Sequence, residues 1–121
     1  ALMLPMSVPS HCSLLKGAAE QLRTYLNNVN VQVPAIPVLH NADVAAYNDA
    51  AKIKDALVRQ LYSPVRWVET VQAFGKQGIT HNVECAPGKV LAGLNKRIDT
   101  NQQAMAINDG EALKAALAAL A

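Results

Sequence analysis

The sequence is poor in most of the features that assign a protein quickly. It has two cysteines, Cys12 and Cys85, in no metal-ligand spacing, which argues against a disulfide framework or a cysteine zinc site. They read as free thiols in a reducing compartment, with a single Cys12–Cys85 bridge as the alternative. Aromatic residues make up only 4% of the chain, so its core is expected to be aliphatic. A formal net charge of +2 without a basic run gives no footprint for nucleic acid or a membrane surface. No stretch approaches the ~18 apolar residues of a membrane span. The opening "ALMLPMSV" lacks the basic leader of a signal peptide and is broken by Pro5. There is no GxSxG nucleophile elbow and no full GxxxxGK[ST] phosphate loop. Neither a complete serine triad nor a nucleotide site can be assembled from what remains.

What is present fits one globular domain at most. Hydrophobic residues are 51% and charged residues 17% of 121 positions, which excludes a disordered chain. The abrupt, strand-like start without an initiator Met reads as a piece of a longer polypeptide. Residues 2–8 are expected to form a buried strand. Leu14, Leu15, Ala18, Ala19, Leu22, Leu26 and Val29 then recur at spacings of three and four, an amphipathic helix. An extended connection with Pro34 and Pro37 leads to a strand in "IPVLHNA", followed by a helix over 49–61. "YSPVRW" predicts another helix start, with Ser63 as N-cap and Pro64 at the first helical position. "GITHNVEC" reads as a strand, "APGKVLAGL" as a tight turn into a short helix, and "QAMAIN" as a fourth strand. Asn108 or Asp109 caps the last helix, with Glu111 at its positive end. Strands alternating with helices in this way predict an α/β layered fold, a mostly parallel sheet flanked by helices.

Open parallel sheets gather ligands beyond the carboxyl ends of their strands. His11 stands just past the first expected strand, in "PSHCS". An imidazole accepts and returns a proton near neutrality, so His11 is a candidate general base. It reads equally well as a residue that caps the next helix or satisfies a buried polar group. His40 and His81 read as structural. Ser10 is a poor nucleophile for the adjacent His11, because neighbouring side chains diverge. Cys12 has no local cationic cluster to stabilise a thiolate. "PGK" at 87–89 opens a helix and could offer backbone N–H groups to an anion, but a tight strand-to-helix turn explains it better. Lys96 and Arg97 sit at a helix end, where they suit either the helix dipole or a docking role.

Four segments in order, "LPMSVPSHCSLL", "PVLHNADV", "IKDALVRQLYSPVRW" and "ECAPGKVLAGLNKRI", resemble the malonyl-CoA:acyl carrier protein transacylases of bacterial fatty-acid synthesis. The resemblance covers nearly the whole chain but only the carboxyl-terminal part of that family's acyltransferase domain. The family's nucleophile elbow, its malonyl-binding arginine, its amino-terminal glutamine and its ferredoxin-like subdomain have no counterpart in residues 1–121. The resemblance implies that His11 is the catalytic histidine and that Gln60 offers its backbone carbonyl to the ring. It implies cytoplasmic acyl transfer from a coenzyme A thioester, malonyl-CoA, to the phosphopantetheine thiol of acyl carrier protein, through an acyl-serine and without a further cofactor. It makes Lys96 and Arg97 candidates for docking an acidic carrier protein, and it leaves Asn41 a structural role. Ser10 stands where many acyltransferases carry Phe, which bears on acyl selectivity, and Ala86 replaces a glycine of the family's "GPGK" turn. Alone, the chain is expected to be inactive for want of the serine, and to self-associate through uncovered core surface.

Overall fold

The computed structural model describes residues 8–85 and 87–121. They divide after Arg66 into two compact units. The strand expected over residues 2–8 lies outside the described residues except for Val8, which is exposed. The Ala86 position in the "APGK" turn also lies outside them.

The first unit is built on two helices. A single 3-10 turn, Ser13–Leu15, runs into α1, Lys16–Asn27, which packs against α2, Ala50–Arg59. Asp49 starts α2 because its carboxylate accepts the Lys52 amide at 2.8 Å. The buried face of α2 is Ile53, Ala56 and Val58, and α1 contributes Ala19. The apolar stripe expected from Leu14 to Val29 is less covered than its spacing predicts: Leu14, in the 3-10 turn ahead of α1, is 77% exposed. Between the helices, β1 (Leu39–His40) pairs antiparallel with β2 (Ala45–Ala46), Leu39 opposite Ala46 and His40 opposite Ala45. The turn joining them puts Val44 at φ 55, a left-handed conformation that a β-branched residue adopts only under constraint. The Val44 and Asp43 amides both donate to the His40 carbonyl, at 2.9 and 3.2 Å.

α2 stops at Arg59 rather than continuing to Leu61. The chain tightens there, with the Leu61 amide on the Val58 carbonyl and the Tyr62 amide on the Arg59 carbonyl. The helix start expected at Ser63–Pro64 is displaced to Trp67. The Arg66 amide is committed to the Asn41 carbonyl at 3.0 Å, which holds the intervening residues out of helical conformation.

The second unit opens with α3, Trp67–Lys76. Gly78, at φ 78, ends it: the Gly78 amide donates to the Gly75 carbonyl and the Ile79 amide to the Phe74 carbonyl, both at 3.0 Å. Strand β3 (His81–Glu84) pairs in parallel with β4 (Gln103–Ala106), with His81 opposite Gln103 and Glu84 opposite Ala106. Parallel neighbours need a crossover, and α4, Val90–Ile98, supplies it. α5, Gly110–Leu120, starts at Asp109, whose carboxylate accepts the Ala112 amide at 2.8 Å. Val71, Ala92, Ala104 and Ala116 form a small aliphatic interior, as the scarcity of aromatics predicts. Helices with a parallel strand pair make the chain α/β. Among the described residues, no helix is long and apolar enough to cross a membrane.

Candidate active site

His11 is set by its own backbone and by the end of α2. Its φ of 61 places it in the left-handed region, where histidine is uncommon though less disfavoured than bulkier residues. Two consecutive carbonyls past the last turn of α2 hold it there. The Leu61 carbonyl accepts the His11 amide at 3.0 Å, and the Gln60 carbonyl lies 2.8 Å from His11 Nδ1. A carbonyl oxygen can only accept, so this bond requires the proton on Nδ1. In the neutral ring the lone pair is then at Nε2, and the residue is exposed.

The carbonyl also has a particular electrostatic address. Gln60 is the C-cap of α2, and the last carbonyls of a helix carry partial negative charge.

Beside this lies a charged cluster that sequence reading does not single out. Arg59 grips Asp43 with both terminal nitrogens, Nη1–Oδ1 at 2.5 Å and Nη2–Oδ2 at 2.6 Å, while its Nε donates to Asp55 at 2.6 Å. Tyr47 Oη donates to Asp43 at 3.0 Å, and Arg23 Nη1 reaches Asp55 at 3.2 Å. Hydrogen bonds from the Arg59 guanidinium hold the Asp43 and Asp55 carboxyls below the usual carboxylate range, and the two carboxylates push Arg59 up in turn. Asp55 and Arg59 are four residues apart, a spacing that signals a helical ion pair. Asp43 comes from a distant turn, and no local pattern points to it.

The other residues singled out in the sequence have quieter surroundings. Cys12 Sγ donates to the Pro9 carbonyl at 3.2 Å, and both Cys12 and Cys85 are free thiols. Ser10 is exposed. His40 is buried, its ring tilted against that of Tyr47 at 5.4 Å. His81 shares a bond with Thr80 Oγ1 at 2.9 Å. The Asn41 carbonyl is the acceptor for Arg66, a main-chain role. Lys96 and Arg97 are exposed in the last turn of α4, in the second unit, whereas His11 and Gln60 belong to the first. At the other end of α4, a protein carboxylate already takes the position an anion would want: Glu84 accepts the Ala92 amide at 2.8 Å. Among the described residues, no group of three or more His, Cys, Asp or Glu is placed to hold a metal ion.

No family model matches the sequence. Individual proteins do. The malonyl CoA-acyl carrier protein transacylase of Salmonella typhimurium LT2 is 51% identical over 117 residues, which is 97% of this chain and 38% of the relative. That of Bacillus subtilis 168 is 36% identical over 120 residues, again 38% of its length. Among solved structures, an acyl-carrier-protein S-malonyltransferase from Burkholderia pseudomallei 1710b superposes with a TM-score of 0.93 at 55% identity, covering 98% of this chain and 38% of that one. A malonyl-transacylase in complex with a type II PKS acyl-carrier protein gives a TM-score of 0.93 at 46% identity, covering 96% of this chain and 38% of that one. In fold and sequence the chain matches part of the α/β acyltransferases. Within that class it is homologous, over almost its whole length, to the malonyl CoA-acyl carrier protein transacylases. It spans 38% of the length of the relatives just described.

Proposed function

We propose that the chain is the carboxyl-terminal part of a malonyl-CoA:acyl carrier protein transacylase, and that it supplies the general base. His11 is the catalytic histidine and the Gln60 carbonyl orients it. The observation that carries this reading is the 2.8 Å bond from Nδ1 to Gln60 O on an exposed histidine. The homology supports it.

The chemistry follows from the tautomer. Nε2 takes the proton of a serine hydroxyl as its oxygen attacks the thioester carbonyl of malonyl-CoA. The C–S bond breaks, the coenzyme A thiolate takes the proton back from the imidazolium, and the malonyl group stays on serine as an ester. The phosphopantetheine thiol of acyl carrier protein then gives its proton to Nε2 and attacks that ester. As the C–O bond breaks, serine recovers the proton. The serine belongs to the part of the protein outside these 121 residues. A thioester is an activated acyl donor, so a base oriented by a neutral carbonyl suffices. Lys96 and Arg97, exposed at the end of α4, provide positive charge for an acidic carrier protein. Beyond the two thioester partners the reaction needs no cofactor.

The test is a chimaera in which these residues replace the matched segment of the Salmonella transacylase. It is expected to transfer malonyl to acyl carrier protein, and His11→Ala in the chimaera is expected to lower the rate by about 10²–10⁴. A folded chimaera without transfer, or an alanine variant that keeps the full rate, would refute the assignment.

A second reading applies to the 121 residues alone: inert, and self-associating. It is favoured by the extent of bare apolar surface, with Ile36 79%, Leu14 77% and Val90 71% exposed. Sedimentation of the isolated chain should show concentration-dependent association, and malonyl transfer should be undetectable. A well-behaved monomer would count against the first half of that reading, and measurable turnover against the second.

A further inference from the structure

The last turn of α2 does two things at once. Arg59 closes the helix and carries the ionic cluster. Gln60 and Leu61, the next two residues, give both of their carbonyls to His11. The carbonyls can stay in register with the imidazole only if that turn stays where it is.

The backbone keeps Gln60 in the helix by its amide on the Ala56 carbonyl at 3.0 Å, but the next two amides, of Leu61 and Tyr62, make only longer three-residue bonds at 3.3 and 3.2 Å. The side chain of Arg59 supplies what the backbone lacks. Its three nitrogens are tied to two carboxylates from different parts of the unit, Asp55 one turn back on α2 and Asp43 on the β1–β2 turn. The grip on Asp43 is bidentate, which fixes direction as well as distance. Asp43 is itself held by Tyr47, and the neighbouring Val44 stays in a left-handed conformation. Strain of that kind persists where the surroundings over-determine the backbone.

We propose that Arg59, clamped by Asp43 and Asp55, is a positioning residue for His11: it fixes the carbonyls of Gln60 and Leu61, and through them the tautomer of the ring. Arg59 does not touch the reacting atoms. The inference rests on the reading of His11 as general base, but its consequence can be read in the ring itself without any turnover.

The experiment is long-range proton–nitrogen NMR on the chimaera described above, labelled at histidine, at about pH 8.5, where an imidazole is neutral. In the unsubstituted chimaera, His11 is expected as the Nδ1–H form. Arg59→Lys keeps the charge but loses the planar fork, and it should raise the Nε2–H fraction of His11 at least about threefold while the second unit's amide resonances stay put. A folded Arg59→Lys chimaera with the original tautomer would overturn the proposal. If Arg59→Lys unfolds the first unit, Asp43→Asn decides, because it breaks the bidentate half of the grip while Asp55 still holds Arg59 Nε. A raised Nε2–H fraction then supports the clamp, and an unchanged one overturns it. An unsubstituted ring already in the Nε2–H form would strike at the role of His11 itself, a result distinct from failure of the clamp alone.

Discussion

The two units solve the same problem, fixing a helix end against a neighbouring turn or strand, with different chemistry. In the first, ions do it: Arg59 binds two carboxylates, and the turn it steadies presents carbonyls to an exposed histidine. In the second, neutral amides do most of it. Gln102, buried, donates to the Val71 carbonyl at 2.9 Å and to Asp99 at 2.7 Å, and accepts from Asn82; Trp67 Nε1 donates to Asn95 at 2.9 Å. Among the described residues, the buried side-chain polar atoms of both units have partners. The first unit's network ends at a ring whose other nitrogen is unspent. Polar groups that only hold a fold tend to be internally matched, and an unmatched one on a strained backbone is where function is sought.

The largest expected effect separates the two sharply. His11→Ala should lower malonyl transfer in the chimaera by about 10²–10⁴, the usual worth of a general base, with little change in melting temperature because the side chain is exposed. Comparable activity loss from a second-unit substitution would blur the contrast. Next, Gly75→Ala should destabilise the second unit by about 1 kcal/mol net in urea titration: a Cβ there would meet Asp99 Oδ2 at 2.7 Å and Gln102 Nε2 at 3.0 Å and push apart that hydrogen-bonded pair, against the better helix propensity of alanine. It should leave the His11 tautomer alone.

Acid should undo the first unit's clamp. Asp43 and Asp55 are held below the ordinary carboxylate range, so their contribution is complete above the unfolded value of about 3.9. It is lost as pH falls through the lower folded values. Exchange of the Gln60 amide, corrected for its intrinsic rate, should therefore be flat from neutrality to about pH 4 and accelerate below it. Acceleration already at pH 6 would mean that the cluster is not what holds the turn. In the second unit, Glu84→Gln should cost about 1 kcal/mol, because the amide can still cap α4 but brings no charge to its positive end. The smallest effect is at the site itself: Gln60→Ala should leave transfer within about twofold, because the bond to His11 uses the main chain.

Much of this plan is legible in the sequence, for identifiable reasons. Alternating apolar periods and cap residues announce the helices, and Asp49 and Asp109 cap where short polar side chains precede a periodic run. The α3 start was not legible, because Ser63–Pro64 carries a helix signal that a distant bond from Arg66 to Asn41 overrides. The "IPVLHNA" strand shrinks to Leu39–His40, since its neighbour β2 is only two residues long. His11 stands out by position at a junction. Gln60 enters only through the family resemblance, since a main-chain acceptor leaves no mark on side-chain identity. The Asp43–Arg59 grip joins residues sixteen positions apart, beyond any local pattern.

The account turns on which nitrogen of His11 carries the proton. The most direct measurement is the one-bond proton–nitrogen coupling of the His11 ring in the unsubstituted chimaera. The account predicts a protonated Nδ1 bonded to the Gln60 carbonyl and a bare Nε2. A proton found on Nε2, with Nδ1 bare, would contradict it.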